Sequence, residues 1–395
     1  HCVTGVQTCA LPISAIPRLP APSDRGGFLL AACQGGAEEA LCGRQQELLP
    51  ELTKGAWRRG LVTFRLPQAS PGAGRPFDPP DDFFPDLVFA RTLIRSFGQV
   101  TGASDAERIA GLLERVGDVA FDNVHVWNRD PRSQADVAAA RAAILAGLAA
   151  GRPGHAQDSV ASPIARPGDL VLDCVIDAPQ REAAAAEPSR WWVGWHRAAA
   201  PPTCWPGGLY PVTLPADKVS RAWLKLDEAI ASFGIELVPG GRAIELGASP
   251  GGACQRLLEA GLEVTGVDPA LVEEPVASHP HFEQWRMRAR DVRLGSLRGF
   301  DWVVADMNID PKSTLESIGR VVTAPGSRPR GIIATLKLPE WSRAQALPEW
   351  LARFRSWGYP PRARQLSTGG REICVVAIRP AGQRSPRRAR RRPGR

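Results

Sequence analysis

The segment AIELGASPGGACQRLLEAGLEVTGVD, residues 243–268, limits what this chain can fold into more than any other stretch. An apolar β run closes at Glu245 and Leu246. A turn holding Gly247, Gly251 and Gly252 follows, then a helical run, then a second β run that ends in Asp268. Strand, glycine turn, helix and strand in this order open a parallel α/β sheet. Glycine lets the backbone turn sharply and approach a ligand closely. The amides at the start of the following helix favour an anionic group. An acid at the end of the second strand can accept hydrogen bonds from both hydroxyls of a ribose. The turn therefore reads as a nucleoside site. A dinucleotide fold prefers GxGxxG. Here the spacing is GxxxGG with Pro250 inside, which suits S-adenosylmethionine better. In that reading Glu245, Gly247, Ala248, Ser249, Pro250, Gly251 and Gly252 meet the amino-acid end of the ligand, and Asp268 meets its ribose. Asp291, in RARDVRLG, is a weaker candidate for the adenine amino group, with an exposed loop acid as the competing reading.

The same alternation extends around this segment. Strand patterns lie at 242–246, 262–267, 300–306, 331–338 and 372–378, and helical patterns at 220–233, 251–260, 312–322 and 342–357. Residues 268–285 are acidic and rich in Pro and His, which leaves the third strand of this region poorly defined. Upstream, GFLLAA, EEALCGRQQELL and LVTFRL suggest strand, helix and strand of a small α+β unit. A second unit follows, with helices in ASDAERIAGLLERV and QADVAAARAAILAGLAA and strands in VAFDNVHVWN, GDLVLDCVID and SRWWVGWH. PPTCWPGG, at 201–208, reads as a linker. The expected organisation is α/β: two small α+β domains at 27–97 and 98–200, then a Rossmann-like domain at 205–380. The first 14 residues, HCVTGVQTCALPIS, resemble a translated sequencing adapter and are set aside.

Charge gives less than it first suggests. Seven arginines and no acid follow Pro380, so removing them from the net +8 leaves about +1 for the rest. The 381–395 tail is expected to be disordered; added salt-sensitive RNA affinity and a merely solvated tail are equally good readings of it. Before residue 205, acids slightly outnumber bases, so any RNA contact there needs a segregated basic face. Eight cysteines without a CxxC pair suggest reduced thiols and a cytosolic setting. His279 and His281 share a loop, where exposure is a simpler reading than metal binding. The tryptophans of SRWWVGWH fit a packed core better than a base-stacking platform.

Four charged residues sit inside or beside apolar patterns: Lys225 in SRAWLKLDEAI, Asp306 ending FDWVVAD, Lys337 in IIATLKLPEW and Glu372 opening REICVVAI. Each alone fits an ordinary salt bridge or a snorkelling lysine. Asp306 and Lys337 also fall at carboxyl ends of parallel strands, where open α/β sheets bind ligands. Together with ELGASPGG, VVADM and LKLP these strings resemble the FtsJ-like ribose 2′-O-methyltransferases. The resemblance implies a Lys-Asp-Lys-Glu catalytic tetrad at Lys225, Asp306, Lys337 and Glu372, with Asp306 also beside the cofactor. FLLAACQGGAEEAL, DLVFARTL and PADKVSRAWLKLDEA resemble the bacterial RlmM type. That implies N-terminal ferredoxin-like and THUMP RNA-binding domains, and a cytidine ribose in large-subunit ribosomal RNA as target.

The expected enzyme is thus an S-adenosylmethionine-dependent RNA methyltransferase: a cytoplasmic monomer that needs neither metal nor membrane. Lys337 is the expected base. An ordinary lysine, with a pKa of about 10.4, must lose its proton to act. Burial and Lys225 favour that loss, and Asp306 and Glu372 oppose it. Three readings compete: methylation of another RNA such as transfer RNA, a non-catalytic RNA-binding or assembly protein of the same fold, and a nicotinamide-dependent oxidoreductase.

Overall fold

Two sheets organise the residues that the computed structural model describes, namely 27–67, 80, 82–133, 135–150, 162–177 and 189–380. The expected artefact at 1–14 and the arginine tail at 381–395 lie outside them. The first sheet is built from β1 (Phe28–Ala32), α1 (Glu38–Leu48), β2 (Thr53–Arg58), β3 (Leu61–Arg65), β4 (Thr92–Thr101), α2 (Asp105–Val116), β5 (Asn123–Asn128), α3 (Val137–Ala150), β6 (Leu170–Asp177) and β7 (Arg190–Arg197). Its strand order is β2-β3-β1-β4-β7-β6-β5. β5 and β6 run parallel, and the other neighbours are antiparallel.

The expected boundary between residues 97 and 98 falls inside β4. This strand has 10 residues, so Thr92–Arg95 pair with β1 while Arg95–Thr101 pair with β7. The two upstream units therefore share one sheet. β2 was absent from the sequence pattern because it is an exposed edge strand, TKGAWR, with no apolar alternation. Alternation along β7 sends Trp191 and Trp195 into the core beneath α2 and α3, and Trp192 to the opposite face beside Leu30 and Ile94. All three indoles are buried, as the core reading requires.

The stretch at 201–208 is a packed junction. The His196 ring meets the Thr203 carbonyl at 2.8 Å, and Trp205 packs edge-on against Tyr210 at 5.0 Å. A Cβ on Gly208 would lie 2.3 Å from the Arg91 carbonyl oxygen, so the chain can pass there only as glycine. Proline and glycine signal a turn in sequence, but they do not say whether other elements cover it.

The second sheet follows from α4 (Arg221–Phe233), β8 (Arg242–Leu246), α5 (Gly252–Glu259), β9 (Glu263–Val267), α6 (Glu274–Ala277), β10 (Phe282–Trp285), β11 (Trp302–Ala305), α7 (Pro311–Thr323), β12 (Gly331–Lys337), α8 (Leu347–Ser356), β13 (Pro361–Arg364) and β14 (Glu372–Ile378). Its order is β10-β9-β8-β11-β12-β14-β13. The first five strands are parallel, and β14 is antiparallel to both neighbours. β10 is the strand that the Pro- and His-rich segment obscured. Its four residues borrow their register from β9.

Strand alternation gives this sheet two apolar faces. Ile244, Val303 and Ile332 point toward α7 and α8, in a core that continues into Leu29 and Phe64 of the first sheet and Phe89 of the loop before β4. Ala243, Val304 and Ile333 point toward α4 and α5. Ser220 caps α4 by accepting from the Ala222 amide, and Gly234 ends it in the left-handed region at φ +63°. Among the described residues no helix is long and apolar enough to cross a membrane.

Candidate active site

The sheet topology decides where functional groups can meet. β8 lies between β9 and β11, so the chain moves outward in opposite directions from this point. Such a switch leaves a crevice beyond the carboxyl ends of the strands. The register pairs Leu246 with both Val267 and Ala305, and Lys337 with Glu372. β14 runs the other way, so its first residue reaches the same edge at which β8, β9, β11 and β12 end.

The glycine turn wraps this edge. Gly247 has φ +87° and Gly251 φ +121°, backbone conformations that L side chains rarely adopt. A Cβ on Gly252 would sit 2.9 Å from the Trp223 amide nitrogen and 2.3 Å from Ser220 Oγ, so the glycine seats α5 against α4. Asp268 accepts from the Ser249 amide at 3.2 Å and from the Ala270 amide at 2.8 Å. These bonds fix its carboxylate beside the turn and leave acceptor capacity for a ribose. Asp291 follows β10, the strand beside β9. It ends a short turn, its side chain is 58% exposed, and its ion pair is to Arg290 at 3.9 Å.

Lys225, Asp306, Lys337 and Glu372 form one closed ion-pair network. Lys225 bonds Asp306 and stands 3.3 Å from Glu372. Lys337 donates to Asp306 at 2.8 Å and to Glu372 at 2.6 Å. Two cations and two anions alternate, and each side chain is no more than 22% exposed. Burial presses Lys337 toward deprotonation, but Asp306 and Glu372 outweigh it and hold its pKa above the ordinary lysine value. Burial likewise opposes the charge on Asp306, and Lys225 and Lys337 overcome it, so this carboxyl ionises more readily than usual. The sequence left these opposing effects unresolved; proximity resolves them in favour of the charged forms.

Glu245 alternates with Ala243 on the face under α4 and α5 and is 1% exposed. Burial pushes its carboxyl up to about 8, and its Oε2 has no hydrogen-bond partner among the described residues. Its folded pKa is raised, so the folded chain keeps a proton that the unfolded chain releases near pH 4.5. This contribution to stability is present at low pH and is lost as pH rises through about 8. Each unit of difference corresponds to about 1.4 kcal/mol. Melting temperatures recorded from pH 5 to 9 should therefore fall less steeply in Glu245→Gln than in the parent; parallel curves would contradict the buried neutral acid.

These features fit S-adenosylmethionine. The cradle at Gly247 has no room for a side chain, Asp268 offers a ribose acceptor, and the orphaned Glu245 oxygen is a buried acceptor beside the same turn. His279 and His281 have ring centroids 5.8 Å apart on the loop before β10, and no metal-holding group of acids, His or Cys occurs among the described residues.

Sequence reading missed Glu228. It lies one turn beyond Lys225 on α4, is 2% exposed, and accepts from the Ser367 amide at 2.7 Å and the Thr368 amide at 2.8 Å. It thereby ties α4 to the loop that leads into Glu372. An acid three residues after a buried lysine on an amphipathic helix was the available signal.

Five parallel strands closed by an antiparallel pair, with a nucleoside turn at the switch point, make the C-terminal half a Rossmann-like methyltransferase that uses S-adenosylmethionine. Residues 218–327 match the FtsJ-like methyltransferase family. Over 317 residues the chain is 27% identical to Ribosomal RNA large subunit methyltransferase M of Laribacter hongkongensis, covering 77% of this chain and 84% of that protein. The protein of the same name from Halorhodospira halophila is 33% identical over 192 residues, which span 46% of this chain and 53% of the relative. A third, from Xanthomonas campestris, is 29% identical over 74% of this chain and 83% of its own length.

Proposed function

We propose that this chain transfers the methyl group of S-adenosylmethionine to a ribose 2′-hydroxyl in large-subunit ribosomal RNA, with a cytidine as the target. The reading rests on one observation above others: Lys225, Asp306, Lys337 and Glu372 converge at the strand edge that carries the cofactor turn. The names of the similar proteins supply the RNA class, and the RlmM-type resemblance supplies the cytidine. In this reading the first sheet carries the ferredoxin-like and THUMP-like RNA-binding units.

S-adenosylmethionine, when bound, would supply an electrophilic sulfonium methyl and leave as a thioether, and the ribose 2′-oxygen is the in-line nucleophile. The protein must orient the hydroxyl and take its proton. Lys337 is the proton acceptor: its Nζ is held on two sides by Asp306 and Glu372. Lys225 balances the two carboxylates, so their charge is not left for Lys337 alone to neutralise. Fixing the hydroxyl against the methyl removes translational and rotational freedom from the reacting pair, a large share of the rate. Asp268 and the amides of the glycine turn hold the donor.

The test uses the chemistry of RNA itself. Alkali cleaves RNA through the 2′-hydroxyl, so a methylated ribose blocks cleavage at its own linkage. Large-subunit RNA incubated with the full chain and methyl-labelled cofactor should yield label in an alkali-resistant dinucleotide beginning with cytidine. Label in mononucleotides would mean base methylation, and label only on transfer RNA would reject the substrate.

A further inference from the structure

A cleft of about 250 Å³ opens where the first sheet meets the methyltransferase domain. One wall comes from the loops after β1, β2 and β5, and the other from the loop between β13 and β14. Arg59 and Arg91 both line it. Arg91 is 8% exposed, and its guanidinium has no hydrogen bond or ion pair among the described residues; its Nε is buried without a partner. Burial lowers its pKa, a shift that Cys33 and Glu228 only partly oppose. Glu228 makes no direct bond to it; its oxygens accept from Ser367 and Thr368. A buried guanidinium left without a counter-anion is costly. Arg59 extends over Gly35, where an added Cβ would lie 2.8 Å from its Nε, and it is exposed. Arg129 lines the same wall but is committed to Asp177 at 2.6 Å. Two guanidiniums therefore face the cleft with no acid bonded to them.

The loop between β13 and β14 lies between the cleft and the tetrad. Leu366 lines both the cleft and the small cavity bounded by Lys225 and Asp306. Gln365, beside it, donates to the Gly370 carbonyl at 3.2 Å, just before Glu372, and bonds Gln34 across the cleft. A phosphate held at the arginines is thus joined through one short loop to the groups that face the reacting sugar. Guanidinium is the side chain best matched to phosphate oxygens.

We propose that Arg59 and Arg91 bind a backbone phosphodiester of the RNA strand next to the target nucleotide. The cleft would then fix the register of the strand relative to the tetrad. The proposal rests on RNA being the substrate, as inferred above. Phosphate contacts of this kind position a strand without reading its sequence.

The experiment measures binding of a labelled large-subunit RNA fragment to the full chain, with Arg59→Ala, Arg91→Gln and the double variant. The double variant should bind RNA about tenfold more weakly, and the slope of log affinity against log salt should fall by about one. KM for RNA should rise more than kcat falls, while cofactor affinity by calorimetry stays unchanged. Arg59 is exposed, so Arg59→Ala keeps the test decisive if Arg91→Gln lowers the melting temperature. Unchanged affinity and salt slope in Arg59→Ala and in any folded Arg91 variant would overturn the proposal while leaving the methyltransferase reading intact. Displacement of RNA from the parent chain by micromolar inorganic phosphate would overturn it too, since a free anion would then be the ligand. A parent chain that neither binds nor methylates RNA would instead defeat the substrate assignment on which the proposal stands.

Discussion

Lys337→Met should lower the rate of methyl transfer about a thousandfold while leaving the fold and cofactor affinity in place. The estimate is the usual contribution of a positioned general base, about 10²–10⁴-fold. Methionine has similar length but cannot accept a proton. The fold should survive because Asp306 and Glu372 keep Lys225 as a cation partner, and because the Lys337 side chain is 22% exposed at the edge of the sheet. The role also fixes a pH profile. Asp306 and Glu372 hold the Lys337 pKa above its ordinary value despite burial. The neutral, basic fraction is then small at neutral pH and grows tenfold with each pH unit. In single-turnover assays the parent rate should climb with unit slope from pH 7 to about 9.5, and the residual rate of the variant should be nearly flat. The stability that Lys337 gains from its carboxylates is fully present below the unfolded lysine pKa, so it stays constant over this window and does not distort the comparison. A variant within threefold of the parent rate would remove Lys337 from the mechanism.

Gly247→Ala should cost about a hundredfold in cofactor affinity and several degrees in melting temperature. Two independent strains act at this position. The φ of +87° disfavours any residue with a side chain. The new methyl group would also lie 2.8 Å from Met307 Cγ and 3.0 Å from the Asp306 carbonyl oxygen. That carbonyl cannot retreat easily, because Ala305 is paired with Leu246 and the Asp306 amide donates to the Leu246 carbonyl at 3.1 Å. The turn must move instead, and its amides with it. Gly295→Ala is the matched control, since an added Cβ there meets nothing within 4 Å. Calorimetric titration with S-adenosylmethionine checks the first quantity and a thermal melt the second. Near-parent affinity in Gly247→Ala would mean that the ligand does not use this cradle.

What sequence alone determined is what periodicity, glycine and charge determine locally. The run from Ala243 to Asp268 fixed strand, turn, helix and strand, because apolar spacing and the demand for positive φ are properties of neighbouring residues. Lys225, Asp306, Lys337 and Glu372 stood out because a charge in an apolar pattern is costly wherever the chain goes. Tertiary structure decided the rest. β10, four residues in a Pro- and His-rich stretch, is a strand only because β9 offers a free edge. β4 joins two units that looked separate, because pairing along both its edges is invisible to its own sequence. The state of Lys337 depended on which of two opposed effects lay closer, and only the 2.8 Å and 2.6 Å contacts to Asp306 and Glu372 settle it. Likewise no pattern links Arg59 and Arg91 to residues near 366: residues more than 250 positions apart in the chain become neighbours only when two sheets pack.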